Sequence, residues 1–171
     1  MGRFTLFFIS FLGLATAIAV AATAPPQLVE KAEQATEVVV EKAARKMTLF
    51  RGENALAVYD VALGFSPEGD KLREGDGRTP EGVYHIDRRN DQSGYHLSLG
   101  LSYPTPKQRE AAAREGRDPG GDIFIHGQPN ALPNGLTIPG DWTAGCIAVT
   151  NAEIEEIWSL LPIGAKVIVK P

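Results

Sequence analysis

The sequence predicts a mostly β domain with two helices, arranged as a mixed-sheet β-sandwich. Three observations lead there. Short runs of alternating apolar residues, bounded by Gly, Pro, Asn and Asp, recur from Lys46 to Lys170, which is the pattern of half-buried strands. Only two stretches of that span, Pro106–Glu115 and Asn151–Leu160, combine helix formers with a start and a stop signal. The strands also follow one another without the strand–helix–strand alternation of a parallel α/β sheet.

Taken in order, residues 1–21 have the form of a signal peptide. Arg3 precedes an apolar run from Phe4 to Val20, and Ala19-Val20-Ala21 fits an Ala-x-Ala cleavage site. Left uncleaved, the run approaches the length of a membrane anchor, the chain's one expected route to a membrane. Both readings export the protein, to the periplasm or cell envelope. Residues 22–46 follow Pro25-Pro26 with Val and Ala among Glu and Lys at partly helical spacing, so a linker with a short amphipathic helix is expected. The folded domain is expected over residues 47–171.

That domain opens with a hairpin, Met47–Phe50 and Ala55–Leu63, around a turn at Arg51-Gly52-Glu53-Asn54. A loop rich in Gly, Pro and charge runs from Gly64 to Pro80. Strands are then expected at Gly82–Asp87 and Tyr95–Leu99. Pro106 at the start and Gly116 at the end delimit the first helix. A short strand from Ile123 ends at His126, and Ile147-Ala148-Val149 forms another. Thr150-Asn151-Ala152-Glu153 is a capping box for the helix Asn151–Leu160, whose buried face carries Ile154, Ile157, Trp158 and Leu161. Lys166–Lys170 alternates as a last strand.

Composition narrows the function. The 171 residues and 43% hydrophobic content suit one globular domain. A net charge of −4 lacks the basic footprint of a nucleic-acid partner. Three histidines and a single cysteine show no metal-ligand spacing, so neither metal nor cofactor is expected. A lone cysteine in an exported chain is a buried inert thiol, a free reactive thiol or an intermolecular bridge.

Context favours the reactive thiol. His126-Gly127 ends an apolar run, and Thr143-Ala144-Gly145-Cys146-Ile147 follows after a loop from Gly127 to Trp142. Prolines and glycines exclude a helix from this loop, and Leu132, Leu136, Ile138 and Trp142 are its expected apolar anchors. A thiol is mostly protonated at neutral pH, and a nearby imidazole can take its proton. Cys146 is thus the candidate nucleophile and His126 its base. The backbone N–H groups of Ala144, Gly145 and Cys146 are candidate oxyanion donors, Thr143 a candidate loop brace, and Gly127 a point of close backbone approach.

These residues resemble the L,D-transpeptidase (YkuD-type) catalytic domain, which carries a His-Gly pair, a spacer of this size, and a Ser/Thr-His-Gly-Cys signature. Gly75-Asp76-Gly77-Arg78-Thr79-Pro80-Glu81-Gly82 is similar to the Thr-Pro-x-Gly turn of that family. Two positions depart: Ala144 stands where the family usually has histidine, and Ala148 where many members have arginine. The resemblance implies the β-sandwich of the L,D-transpeptidase type and a thioester acyl-enzyme on peptidoglycan stem tetrapeptides. The acceptor would be a second stem or a lipoprotein lysine. It also makes His96 and Tyr103 candidate substrate contacts. An amidase that hydrolyses the same bonds and releases wall-attached protein is the alternative within this chemistry. A non-catalytic wall-binding module is the alternative outside it.

Overall fold

The computed structural model describes residues 24–133 and 135–171; the expected signal peptide lies outside them. Eight strands and two helices follow in the order β1 (Glu37–Glu41), β2 (Lys46–Arg51), β3 (Asn54–Asp60), β4 (Gly82–Ser93), β5 (His96–Leu101), α1 (Pro106–Arg114), β6 (Phe124–His126), β7 (Ile147–Ala148), α2 (Asn151–Leu160) and β8 (Lys166–Lys170). The expected class holds: mostly strands, two helices, a mixed sheet. The strands form one curled sheet, ordered β3-β2-β1-β8-β4-β5-β6-β7. Pairing is antiparallel except between β1 and β8 and between β6 and β7.

The twelve-residue β4 makes the curl. Its first half pairs with β8 through Gly82–His85, and its second half pairs with β5. Register shifts after Ile86 and after Asn90 bend the strand between its two partners. The chain beyond β3 then closes the two edges. Ala62 and Ala148 exchange backbone hydrogen bonds of 2.9 and 2.8 Å, and Leu63 and Phe65 do the same with Thr143.

The expected helix within residues 22–46 is corrected by β1, and the domain therefore starts before residue 47. Val38, Val39 and Val40 are β-branched and stiff at χ1, which favours a pleated strand over a helix. Val38 and Val40 are fully buried and in register with Val167 and Val169 of β8. The residues before β1 run beside α2, Val29 N–H donating to Ser159 O and Ala35 N–H to Leu160 O.

Both helices begin with the same device. Thr105 and Thr150 are N-caps in extended conformation, each accepting from the N3 amide while the N3 side chain returns to the cap backbone. Ile154, Ile157 and Trp158 of α2 are buried. They join one hydrophobic core with Ile125, Ile147, Leu99 and Val167. Among the described residues no helix is long and apolar enough to cross a membrane.

Candidate active site

β6 ends at His126, and the parallel neighbour β7 begins just after Cys146, with Ile125 opposite Ile147 and His126 opposite Ala148. The two strands thus deliver His126 and Cys146 to one cavity of about 520 Å³, which Tyr95, Asp122, Phe124, Trp142, Thr143 and Ala144 also line.

The imidazole tautomer follows from its partner. Nδ1 of the buried His126 lies 2.7 Å from the carbonyl oxygen of Gly127, which can only accept. Nδ1 therefore carries the proton, and Nε2 is left with a basic lone pair. Burial lowers the imidazole pKa, against the Gly127 hydrogen bond that raises it. Tyr95 stacks at 4.6 Å and tilted, and Trp142 meets the ring edge-on at 5.7 Å. Gly127 admits no side chain, because a Cβ there would lie 2.6 Å from Asn151 Oδ1.

The Cys146 thiol donates to the carbonyl oxygen of Asp122 at 3.4 Å. Burial raises its pKa; the Phe124 backbone pulls it down, Asp122 pushes it up, and Lys71 and Arg88 pull it down. The net direction is upward. Burial thus favours the uncharged form of both the thiol and the imidazole.

Thr143 braces the turn between them. Its hydroxyl donates to Cys146 O at 2.8 Å and accepts from Gly145 N at 3.1 Å. This corrects one expectation: the Gly145 amide is already used. The amides of Ala144 and Cys146 have no acceptor among the described residues. Gly145 adopts φ 137, and a Cβ there would stand 2.7 Å from Arg78 O.

The floor under Gly145 comes from the Gly75–Gly82 turn. The Asp76 carboxylate accepts from Lys71 Nζ and from the amides of Leu72, Arg73 and Arg78. Burial raises its pKa, but these four donors outweigh burial and hold it at about 2. Thr79, fully buried, accepts from Gly64 N at 3.0 Å.

Two expected substrate contacts lie elsewhere. Tyr103 is buried, with its hydroxyl on Pro119 O and its ring edge-on to Tyr84. His96 has φ 67, and its ring meets Glu155 of α2 at 2.7 Å, outside the cysteine cavity. Leu136, an expected loop anchor, is 56% exposed, whereas Ile138 and Trp142 are half-buried. Of the cavity walls, Trp142 adjoins the signature, Phe124 lies in the apolar run that ends at His126, and Tyr95 opens the segment whose likeness to the family suggests a pocket lining; Asp122 carries no local motif. Among the described residues no group of three or more His, Cys, Asp or Glu is placed to hold a metal ion.

Residues 35–169 match the family model of the YkuD L,D-transpeptidase catalytic domain. The chain belongs to that family. It is 30% identical over 105 residues to the putative L,D-transpeptidase YafK of Escherichia coli, a match covering 60% of this chain and 35% of the relative. This L,D-transpeptidase-family chain thus spans about a third of the curated relative. Its fold is shared with the helical cell shape determining protein Pgp2 of Campylobacter jejuni (TM-score 0.63, 23% identity, 80% of this chain and 47% of that one). It is also shared with an L,D-transpeptidase of Xylanimonas cellulosilytica (TM-score 0.53, 16% identity, 82% and 63%).

Proposed function

We propose that this chain is a cysteine acyltransferase of the L,D-transpeptidase type, acting on peptidoglycan stem tetrapeptides. The observation that carries the reading is the convergence of Cys146 and His126 on one cavity, with His126 Nδ1–H committed to Gly127 O. In this scheme Nε2 takes the thiol proton as Sγ attacks the carbonyl between the diamino acid and the terminal D-alanine. The imidazolium then protonates the departing amine, and the acyl group remains on sulfur as a thioester. The Ala144 and Cys146 amides are the donors for the developing oxyanion, each worth about 3 kcal/mol. An amine of a second stem or of a lipoprotein lysine would resolve the thioester.

Hydrolysis of the same thioester is the second reading. It is favoured by Ala144, which is exposed in the cavity wall and offers a second stem no side chain to hold. We further propose that the reaction takes place outside the cytoplasm, on the strength of the Met1–Ala21 segment.

Intact-protein mass spectrometry with a carbapenem tests the acyl-enzyme. An adduct on the native chain, absent from Cys146→Ala and much slower in His126→Ala, is expected. A native protein that stays folded with an unmodified, titratable thiol would instead leave a wall-binding module. Digestion of purified sacculi then separates transfer, which makes new cross-links or attachments, from hydrolysis, which releases fragments only.

A further inference from the structure

Beside the cysteine cavity stands a pair of opposite charges that the acyl-transfer scheme does not use, Asp122 in the lining and Arg88 against the lining residue Phe124. Asp122 lines the cavity and has the left-handed φ 52, a conformation Asp tolerates better than most residues. While its carbonyl holds the thiol, its carboxylate is 88% exposed and accepts from Arg88 Nη2 at 2.9 Å. The Arg88 guanidinium lies 4.4 Å over the ring of Phe124, another cavity wall, and its Nη1 donates to Asp87. Gly100 on β5 leaves the lane that Arg88 crosses, since a Cβ there would meet Arg88 Cγ at 2.6 Å.

Lys71, the other cation that acts on the thiol, is 5% exposed and committed to Asp76. Arg88 is therefore the cation of the two that a ligand can reach. At 40% and 88% exposure the Arg88–Asp122 pair is solvent-screened and of little net worth. A ligand offering the same two charges can replace it at small cost. A planar guanidinium suits a carboxylate, and a free carboxylate suits an ammonium. Together they match the head group of a free amino acid.

This inference rests on the reading above, in which Cys146 attacks the carbonyl of the diamino acid and so holds that residue beside Asp122, whose carbonyl oxygen accepts from the thiol at 3.4 Å. We propose that Arg88 and Asp122 recognise the zwitterionic end of that side chain, its carboxylate on the Arg88 guanidinium and its ammonium on the Asp122 carboxylate. Both are specificity-determining residues.

Calorimetric titration of the full chain in the Cys146→Ala background tests this without turnover. The probes are three stem tetrapeptides, whose diamino acid ends in the free head group, its carboxamide, or its N-acetyl form. Each modification should weaken binding roughly five- to tenfold. With Arg88→Gln, carboxamide and carboxylate peptides should bind alike while acetylation still costs affinity; with Asp122→Asn the reverse should hold. Equal binding of all three peptides overturns the proposal, and so do losses that persist in both variants. Sensitivity to one modification alone overturns the paired recognition.

A second measurement works on the native thiol, as the ratio of its modification rates by cationic and anionic methanethiosulfonates. Asp122→Asn should shift that ratio several-fold toward the anionic reagent, and Arg88→Gln toward the cationic one. Unchanged ratios overturn the proposal even where carbapenem acylation succeeds. Shifted ratios with no carbapenem adduct would instead count against the acyl-enzyme and support the placement of the pair.

Discussion

Gly145 has little latitude in the turn that carries Cys146. Its φ of 137 strains an L side chain, and Arg78 O occupies the place of a Cβ. Gly145→Ala should slow carbapenem acylation by about 100-fold, because small displacements of a reacting atom cost that much. It should also lose about 1–3 kcal/mol of stability, read by urea unfolding. Burial of the thiol makes a second prediction. The pH midpoint of Cys146 alkylation by iodoacetamide should lie above the ordinary thiol value of about 8.5, since burial disfavours the thiolate. A lower midpoint would reveal a thiolate–imidazolium pair at rest. His126 adds a linkage of known sign. Its folded pKa is depressed, so below about pH 6.5 the unfolded chain binds a proton that the native ring refuses. Stability should fall with pH there, and His126→Gln should flatten that part of the curve.

At the scale of elements, the Asp76 turn is a small electrostatic scaffold beneath Gly145. Its carboxylate falls from the ordinary 3.8 to about 2 on folding. That contribution, about 2 kcal/mol, is present above the unfolded value and is lost as pH falls through the folded one. Asp76→Asn should therefore be destabilised at pH 7 but nearly indistinguishable from the parent at pH 2, by urea midpoints. Thr150→Ala, removing the α2 cap, should cost about 1 kcal/mol at either pH. Local signals were read accurately where the chain decides locally: α2 and β8 lie where capping and alternation put them, and the Gly52 turn joins β2 to β3. β1 is obscured in the sequence because its three valines stand among Glu and Lys at partly helical spacing; its pairing with the adjacent β2 and the distant β8 decides for a strand. The same limit applies to the site. Cys146 and His126 are legible from a signature and a spacing, whereas Asp122, on the turn before β6, reaches the cavity through a fold that no nearby residue announces.

On the scale of the molecule, β1 and β8 stand in the middle of the sheet although they come from opposite ends of the described chain. A chain beginning at residue 47 should therefore fail to fold, because β8 would lose its parallel neighbour with Val38 and Val40. Circular dichroism of that truncation, set beside one beginning at residue 24, checks this; native-like spectra for both would return β1 to the linker. The closing seam of Ala62 with Ala148, and of Leu63 and Phe65 with Thr143, bears on the order in which the fold is completed. The Cys146 turn is clamped there by a segment made long before it, and the sheet is continuous only once Lys166–Lys170 slots between β1 and β4. The chain thus carries its one cysteine well before the last strand that closes the sheet has been made.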